Sequence, residues 1–333
     1  MRLVLIDFES SNLFMATQFF EISDEDKFLE VLKKELKNIF NPGERIAVKL
    51  HMGEPGNKTR LSIPFVKGIV DILLKLGTKP FLFDSPVKYD SPRNTEQGYL
   101  KAAKAEGWES VGCPVVVSNE SVQLKGKYAT YGVCKKLIEA DGVLVLTHVK
   151  GHECTGFGAS IKNLGMGALS KETKTMIHHG GEPKYIGNCQ MCGECARACP
   201  TDNIRYENNR PYFDKNWCLG CSNCVLSCKY NAIKPNLETF DKLLADGAVT
   251  AKNSFKKSYF VNVINNLTQM CDCLSDPGKI VMEDVGFVIG DKLTEVDRES
   301  FDRINQKADK DIFLEVNKKS PLIHIKAAEE LDY

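Results

Sequence analysis

Two runs of closely spaced cysteines constrain this chain more than any other feature of its sequence. Within each run, successive cysteines are separated by two, two and three residues, and Pro200 follows the first run while Lys229 follows the second. Such short loops direct three thiolates onto one iron–sulfur cubane, while the fourth cysteine of the run reaches a second cubane. The first run is Cys189, Cys192, Cys195 and Cys199, and the second is Cys218, Cys221, Cys224 and Cys228.

The exchange of fourth cysteines predicts which residues share a 4Fe–4S cluster. Paired C-x2-C motifs alone would also suit structural zinc, but two matching runs of four favour two clusters. The segment resembles bacterial-type two-cluster ferredoxins, and that resemblance implies low-potential, one-electron chemistry. We assign one cluster to Cys189, Cys192, Cys195 and Cys228, and the other to Cys218, Cys221, Cys224 and Cys199.

Composition and charge exclude several classes of protein. The chain is 43% hydrophobic and 26% charged, with a formal net charge of zero, which is typical of a globular protein and argues against a nucleic-acid or membrane-surface role. Asp7 and Glu9 interrupt the N-terminus before a signal-peptide core forms, and no apolar run is long enough to span a bilayer. We therefore expect a cytoplasmic protein in which the high number of cysteines, thirteen, indicates metal binding rather than disulfides.

Outside the cysteine-rich segment, strand patterns alternate with helix patterns. The apolar run at 142–147 is typical of a strand buried on both faces, and the spacing of apolar residues over 63–76 is typical of an amphipathic helix. This alternation predicts an α/β fold with a largely parallel sheet covered by helices. Further strands are predicted at 45–50, 80–83, 115–117, 259–265 and 285–289, and further helices at 96–106, 240–251 and 296–306.

The α/β pattern continues on both sides of the cysteine-rich segment, which bears on the domain organisation. We predict that residues 1–182 and 237–333 form one discontinuous α/β domain, because surface loops tolerate insertions well. Residues 183–236 would then be an inserted small ferredoxin-like α+β module. A separate C-terminal domain remains an alternative, although the segment after the module would have a thin core of its own.

The segment 147–169 holds the richest set of polar groups outside the cysteine runs. It leaves a predicted buried strand, where open α/β folds tend to bind ligands, and its glycines let a ligand approach the backbone. The alternative is that the histidines only satisfy loop carbonyls and the lysine is solvated. We predict acid/base or metal-binding roles for His51, His148 and His152, and cofactor-binding roles for Lys162, Gly156 and Gly158.

A second cysteine motif, Cys271-Asp272-Cys273, follows a predicted strand. Two cysteines in this spacing could chelate a soft metal or be redox-active. They could equally be unremarkable thiols, because residues i and i+2 of a strand share a face by default. Cys113, Cys134 and Cys154 are interpreted as small buried hydrophobic residues.

Four segments make most of the chain resemble a known family. They are VKLHMGEPGNKT at 48–59, HVKGHECTGFGASIKNLGMG at 148–167, CDC at 271–273 and EDVGFVIGDKLTEVD at 283–297. They are similar to the domain of unknown function 362 family, whose members often carry an inserted two-cluster ferredoxin. The resemblance implies an iron–sulfur protein but supplies no reaction.

A shorter motif, His152-x3-Gly156-Phe157-x4-Lys162, is similar to a segment of nickel-dependent lactate racemases. In that family a histidine is the acid/base, a lysine holds a pyridinium-derived nickel cofactor, and a later histidine ligates nickel. The resemblance implies these roles for His152, Lys162 and His178 respectively. It therefore suggests a second metal or organic cofactor near Lys162.

Together these features predict an iron–sulfur oxidoreductase that takes electrons from a partner such as a free ferredoxin. Lysine and arginine outnumber aspartate and glutamate by seven to four in residues 183–236, which would favour an acidic partner. Electrons would reach a site near Lys162, where a small anionic substrate binds. Two alternatives stay open: a non-catalytic electron carrier with a docking domain, or a metal- or cluster-delivery protein that uses Cys271 and Cys273.

Overall fold

A computed structural model describes residues 16–332 of the chain, so the prediction about the N-terminal signal lies outside the described residues. The strands are β1 (Gln18–Glu21), β2 (Arg45–Lys49), β3 (Lys79–Asp84), β4 (Val115–Val117), β5 (Ser121–Lys125), β6 (Thr130–Cys134), β7 (Gly142–His148), β8 (Lys150–His152), β9 (Gly156–Gly158), β10 (Pro183–Tyr185), β11 (Ile204–Glu207), β12 (Arg210–Phe213), β13 (Ile233–Pro235), β14 (Ser258–Ile264) and β15 (Gly286–Gly290). The helices are α1 (Glu25–Ile39), α2 (Ile63–Lys75), α3 (Glu96–Ala105), α4 (Lys135–Ile138), α5 (Ser160–Gly167), α6 (Lys171–Gly181), α7 (Glu194–Arg197), α8 (Asn223–Leu226), α9 (Phe240–Asn253), α10 (Leu293–Ala308), α11 (Ile312–Asn317) and α12 (Leu322–Glu329).

A seven-stranded sheet in the order β1-β15-β14-β7-β2-β3-β4 forms the centre of the α/β domain. The five strands from β14 to β4 run parallel to one another, and β15 pairs antiparallel with both β14 and β1. The carboxyl ends of the five parallel strands therefore share one edge. The prediction of an α/β fold with a largely parallel sheet is confirmed.

The central strand β7 shows why its sequence is apolar throughout. Val143 and Val145 pack into a core with α5, α9, α10 and α12, whereas Leu144 and Leu146 pack into a second core with α1, α2 and α3. Successive side chains of a strand point to opposite faces of a sheet. Because helices cover both faces of this sheet, every position of β7 is buried.

The cysteine-rich module is inserted between α6 and α9. Its first and last strands, β10 and β13, pair antiparallel, with Pro183 opposite Pro235, so the chain enters and leaves the module at one place. A hairpin of β11 and β12 and the short helices α7 and α8 complete it. This inserted module was part of the predicted fold class, and it is confirmed. Among residues 16–332, none of the helices is both long and apolar enough to cross a membrane.

Candidate functional site

Eight cysteines of the module surround two separate cavities, four to each. The residues that face each cavity follow the crossed assignment, in which each run gives its fourth cysteine to the other set. The outer cysteine set is Cys189, Cys192, Cys195 and Cys228. The inner cysteine set is Cys199, Cys218, Cys221 and Cys224.

The loops of the two runs fold in matching ways, which explains why each can present several sulfurs to one point. Gly193 and Ser222 both have positive φ angles and precede α7 and α8. In each run, the sulfur of the first cysteine accepts a hydrogen bond from the backbone N–H two residues later. The Met191 N–H donates to Cys189 Sγ, and the Gly220 N–H donates to Cys218 Sγ, both at 3.4 Å. Amide donors to sulfur are typical of iron–sulfur sites, where they tune the reduction potential.

The two cysteine sets differ in their distance from solvent. Cys192 of the outer set is exposed, whereas Cys199, Cys221 and Cys224 of the inner set are buried. The inner set lies against the α/β domain: Lys319 Nζ donates to the Cys221 carbonyl at 2.9 Å. One set therefore faces outward and the other faces the domain.

Two glycines bring the inner loop into direct backbone contact with helix α6. A Cβ atom on Gly181, the last residue of α6, would lie 2.2 Å from the carbonyl oxygen of Gly220. A Cβ atom on Gly220, which has a φ of 66°, would lie 1.9 Å from the carbonyl oxygen of His178. Any side chain at these positions would separate the two elements or strain the loop.

A larger cavity of about 320 Å³, which we call the central cavity, lies at the carboxyl edge of the parallel strands, between the α/β domain and the module. Its position agrees with the usual ligand site of open α/β folds. His152, Lys162 and His178 all line it. The other polar residues and cysteines in its wall are His51, Asp84, Ser85, Lys88, Tyr89, Glu153, Cys154, Lys174, Cys218, Cys271 and Cys273.

Different elements deliver these side chains to the central cavity. His51 follows β2, His152 ends β8, and Lys162 lies in the first turn of α5. Lys174 and His178 are four residues apart on α6, so they share one face of that helix. The structure thus brings together four residues predicted from the sequence, His51, His152, Lys162 and His178, while their chemical roles remain predictions.

The two histidines in the wall have opposite hydrogen-bonding capacities. His152 Nδ1 accepts the Cys154 N–H at 3.0 Å, so the neutral ring carries its proton on Nε2. His178 Nδ1 donates to the Leu219 carbonyl at 2.7 Å, which leaves Nε2 as an acceptor. Burial, with Lys162 nearby, lowers the pKa of His152 well below its usual value, and burial together with Lys88 lowers the pKa of His178 to about 4. Both rings are therefore neutral near pH 7.

Lys162 and Cys273 form the most polarised part of the cavity wall. Burial disfavours the Lys162 ammonium, but the neighbouring sulfurs of Cys273 and Cys271 raise its pKa overall. Within residues 16–332, no hydrogen-bond acceptor is found for its Nζ. The pKa of Cys273 lies well below its usual value. A hydrogen bond from Cys271 lowers this pKa most, the charges of Lys162 and His51 lower it further, and burial acts in the opposite direction. The distance from Cys273 Sγ to His51 Nε2 is 3.8 Å.

His148 has a different position from the one predicted. It does not line the central cavity: its Nδ1 lies 2.8 Å from Asp272 Oδ2, and its Nε2 donates to the Asn265 carbonyl at 2.7 Å. Lys150 Nζ also approaches Asp272, at 3.0 Å. Burial raises the pKa of Asp272, but Lys150 and His148 outweigh it and keep that pKa low. His148 therefore anchors Asp272 and lines a smaller cavity together with His51, Lys162 and Cys273, and the catalytic role expected for it stays a prediction.

The two glycines predicted to bind a cofactor both lie close to other parts of the chain. Gly156 has a φ of 77°, and a Cβ there would lie 2.3 Å from the Lys319 carbonyl oxygen, so the chain itself occupies the space expected for a ligand. Gly158 lies beside Lys162, where a Cβ would be 3.0 Å from Cδ of the lysine. Gly158 thus leaves room for the lysine stem, and it also lines the smaller cavity beside Lys162, so its cofactor-binding role stays a prediction.

Several residues of the site were missed at the sequence level. Glu153 and Cys154 line the cavity, and together with His152 they place one potential metal-ligating atom each within 4.8 Å of one another. Lys49 was also missed; it lies at the cavity edge, 3.1 Å from Asp84, a carboxylate whose place at a strand end the sequence does indicate. A lysine within the apolar run of β2 was the one available signal, since such a charge requires a buried partner.

These features define a class: a mostly parallel α/β protein that carries an inserted ferredoxin-like, cysteine-rich module. The chain belongs to the family described as Domain of unknown function (DUF362), which matches residues 46–302. The resemblances to that family and to ferredoxins are thereby confirmed.

Known proteins resemble parts of this chain. An uncharacterized ferredoxin of Methanocaldococcus jannaschii is 31% identical over 67 residues, which are 19% of this chain and 40% of the ferredoxin. The chain spans less than half the length of the curated relatives it matches. A structural-genomics structure from Thermotoga maritima aligns with a TM-score of 0.50 at 12% identity, covering 88% of this chain and 61% of the other. The lactate racemase apoprotein of Thermoanaerobacterium thermosaccharolyticum aligns with a TM-score of 0.39 at 14% identity, covering 71% and 48%.

Proposed function

We propose that this protein is an iron–sulfur oxidoreductase whose module holds two 4Fe–4S clusters that serve a reaction in the central cavity. The observation that carries the proposal is the position of Cys218, which lines both the inner cysteine cavity and the central cavity. One ligand of the proposed inner cluster therefore forms part of the wall of the proposed reaction site. When bound, such clusters supply electrons one at a time.

The residues present fit the proposed clusters. Each cysteine cavity offers four thiols, which is the ligand number of a 4Fe–4S cluster. Backbone N–H groups already point at Cys189, Cys218 and Cys228 and would stabilise the charge on their sulfurs. Structural zinc would not require this exchange of the fourth cysteine between two runs.

The residues of the central cavity can orient a substrate through hydrogen bonds and charge. His152 can donate a hydrogen bond from its Nε2–H, and the Nε2 of His178 can accept one. The Lys162 ammonium can hold the anionic group of a small substrate. Met166, Leu219 and Phe240 in the wall limit the access of water.

The outer cysteine set indicates where electrons enter. Cys192 is exposed, so a redox partner can approach the outer cluster without any change of the α/β domain. The excess of basic residues in the module favours an acidic partner, such as a free ferredoxin. A carrier without a reaction would not need the converging histidines and lysine of the central cavity.

Anaerobic reconstitution followed by iron and acid-labile sulfide analysis tests this proposal. We expect about eight of each per chain, because each of the two cysteine sets would hold four irons. Cys199→Ala should roughly halve the iron content through loss of the inner cluster, although Cys199 lies within the first run. Cys113→Ala, which changes a cysteine outside the module, should retain the full content. A wild-type chain with four irons, or with stoichiometric zinc, would contradict the proposal.

A further inference from the structure

We propose that Cys271 and Cys273 form a redox-active thiol pair that reduces small anionic disulfides in the central cavity. The inference deepens the proposed function and rests on it for its electrons. Both cysteines line the central cavity, as does Cys218 of the inner cysteine set. The thiol pair and the proposed electron source therefore share one enclosed space.

The backbone around the two thiols suits a disulfide. The Leu274 N–H donates to the Cys271 carbonyl at 3.1 Å and closes a tight turn that contains both cysteines. A disulfide requires Cα atoms roughly 4.4–6.8 Å apart, and residues i and i+2 of such a turn meet this range. Both cysteines of the turn line the central cavity, so their side chains lie on the same side of the backbone.

Asp272 anchors this turn from behind. Its carboxylate is fully buried between His148 and Lys150, and its carbonyl accepts the Glu54 N–H at 2.8 Å. The Tyr89 hydroxyl donates to the Cys273 carbonyl at 3.4 Å. Because the middle residue is fixed on the side away from the cavity, the flanking thiols stay directed into it.

The two thiols are not equivalent, which assigns their roles. Cys271 is only 3% exposed, whereas Cys273 is half-buried and lies 3.8 Å from His51 Nε2. The positive charge of Lys162 stabilises negative charge on sulfur in this part of the wall. Cys273 is therefore the thiol that attacks a substrate, and Cys271 is the thiol that resolves the product.

A thiol pair explains these residues better than a metal site does. Within the described part of the chain, three potential metal-ligating groups come close together at His152, Glu153 and Cys154. That group includes neither Cys271 nor Cys273. Among the described residues, His51 Nε2 lies 3.8 Å from Cys273 Sγ, but the two cysteines and this histidine do not form a group of three ligating atoms within 4.8 Å of one another.

The proposed reaction balances in atoms and electrons. Cys273 attacks one sulfur of the substrate disulfide, forms a mixed disulfide, and releases the other sulfur as a thiol after it takes one proton. Cys271 then attacks Cys273, which releases the second thiol and leaves a Cys271–Cys273 disulfide. The bound clusters would supply two electrons, one at a time, and with two protons these would break that S–S bond and restore both thiols.

The cavity also indicates the charge and size of the substrate. Lys88, Lys162 and Lys174 all line its wall, and no described residue hydrogen-bonds the Lys162 ammonium. A volume of about 320 Å³ admits a small molecule but not an extended peptide. We therefore expect a disulfide that carries carboxylates to react faster than a cationic one of similar length.

Trapping the mixed disulfide tests the inference on the iron-loaded protein. The probes are dithiodiglycolate, a dianion, and cystamine, a dication. Cleavage after Lys257 and Lys279 releases a peptide whose cysteines are Cys271 and Cys273, so mass spectrometry reads the pair directly. Cys271→Ser should accumulate the probe adduct on Cys273, with the dianion reacting about tenfold faster. The wild-type peptide should carry an internal disulfide, and Cys273→Ser should carry neither product.

Lys162→Gln provides the matched control, since it should remove the preference for the dianion while cystamine still reacts. Equal reaction of both single-cysteine variants, an absent internal disulfide in the wild type, or a tightly held metal on the pair would overturn the inference. Iron analysis of the same samples separates the two proposals. Eight irons with unreactive thiols would overturn the thiol pair alone, whereas reactive thiols in a chain that binds zinc would overturn the proposed function.

Discussion

Lys49 lies at the end of strand β2 with no exposure to solvent. Its ammonium is 3.1 Å from Asp84 Oδ1 and donates to Asn163 Oδ1 at 2.6 Å. Burial lowers the pKa of Lys49, while the charge of Asp84 opposes that effect. Asp84 in turn accepts the Tyr99 hydroxyl at 2.6 Å. A buried network of this kind holds the edge of the central cavity in one arrangement, because each member needs the others as partners.

Lys49→Met should lower the free energy of unfolding by about 3–5 kcal/mol, because it leaves the Asp84 carboxylate buried without its cation. Denaturant titration measures this change. Lys67→Met is the matched control, since Lys67 pairs with Asp71 in solvent at 2.7 Å, and its loss should cost less than about 1 kcal/mol. A similar loss of unfolding free energy in the two variants would mean that the buried Lys49–Asp84 pair contributes no more to stability than an exposed pair does.

Site residues could be predicted from the sequence where their distance from a predicted strand indicated their place in the fold. Histidine and lysine after a buried strand pointed to His152 and Lys162, because the carboxyl ends of parallel strands gather at one edge. Arg93, which is fully buried beside Glu54, had no such signal. Its partner is distant in sequence, so only the folded chain brings the two charges together.

Helix α5 carries Lys162 and depends on another helix for its N-terminal cap. Ala159, at the capping position, has no side-chain acceptor. Instead, Asp297 of α10 accepts the N–H groups of Ser160 and Ile161, both at 2.8 Å. A carboxylate at a helix N-terminus accepts hydrogen bonds from the free N–H groups, and its negative charge interacts favourably with the helix dipole. Asp297 therefore holds the first turn of α5 in place, and with it the backbone of Lys162.

We expect Asp297→Ala to cost about 2–3 kcal/mol of unfolding free energy, because two buried N–H groups lose their acceptor. Thr95→Ala offers a comparison: Thr95 caps α3 through one bond to the Gly98 N–H at 3.0 Å near the surface, and its loss should cost about 1 kcal/mol. Equilibrium unfolding of both variants checks the order, and an equal or smaller loss for Asp297→Ala would contradict it.

Elements were predicted better than their arrangement. Apolar runs located β7, α2 and α9 to within a few residues, because burial dictates those patterns. The antiparallel direction of β15 followed from no local signal, since strand pairing depends on distant contacts. The hairpin of β8 and β9 was missed for another reason: its second strand is Gly156–Gly158, which shows no period-two pattern.

At the scale of the whole molecule, one chain combines a large domain with a small inserted module. The paired strands β10 and β13 hold the two ends of the module side by side. The module also contacts the domain through Ser222, whose hydroxyl donates to the Gly181 carbonyl and accepts the Phe240 N–H. The domain therefore closes on itself without the module but gains contacts from it.

Replacement of residues 184–235 by a short Gly/Ser linker should leave a cooperatively folding α/β domain, because the linker has little distance to span. We expect a modest loss of stability, of about 1–3 kcal/mol, from the lost hydrogen bonds. Circular dichroism and thermal unfolding test this. Either flank folding by itself while the shortened chain stays unfolded would refute the prediction that residues 1–182 and 237–333 form one domain.

The contact between Gly181 and Gly220 has a kinetic consequence. Electron tunnelling through protein weakens exponentially as the layer between donor and acceptor thickens. These glycines let the backbone of the inner loop touch helix α6 with no side chain between them. If the module transfers electrons as proposed, a single methyl group at either position would widen that gap, so these two glycines set how closely the inner loop approaches helix α6.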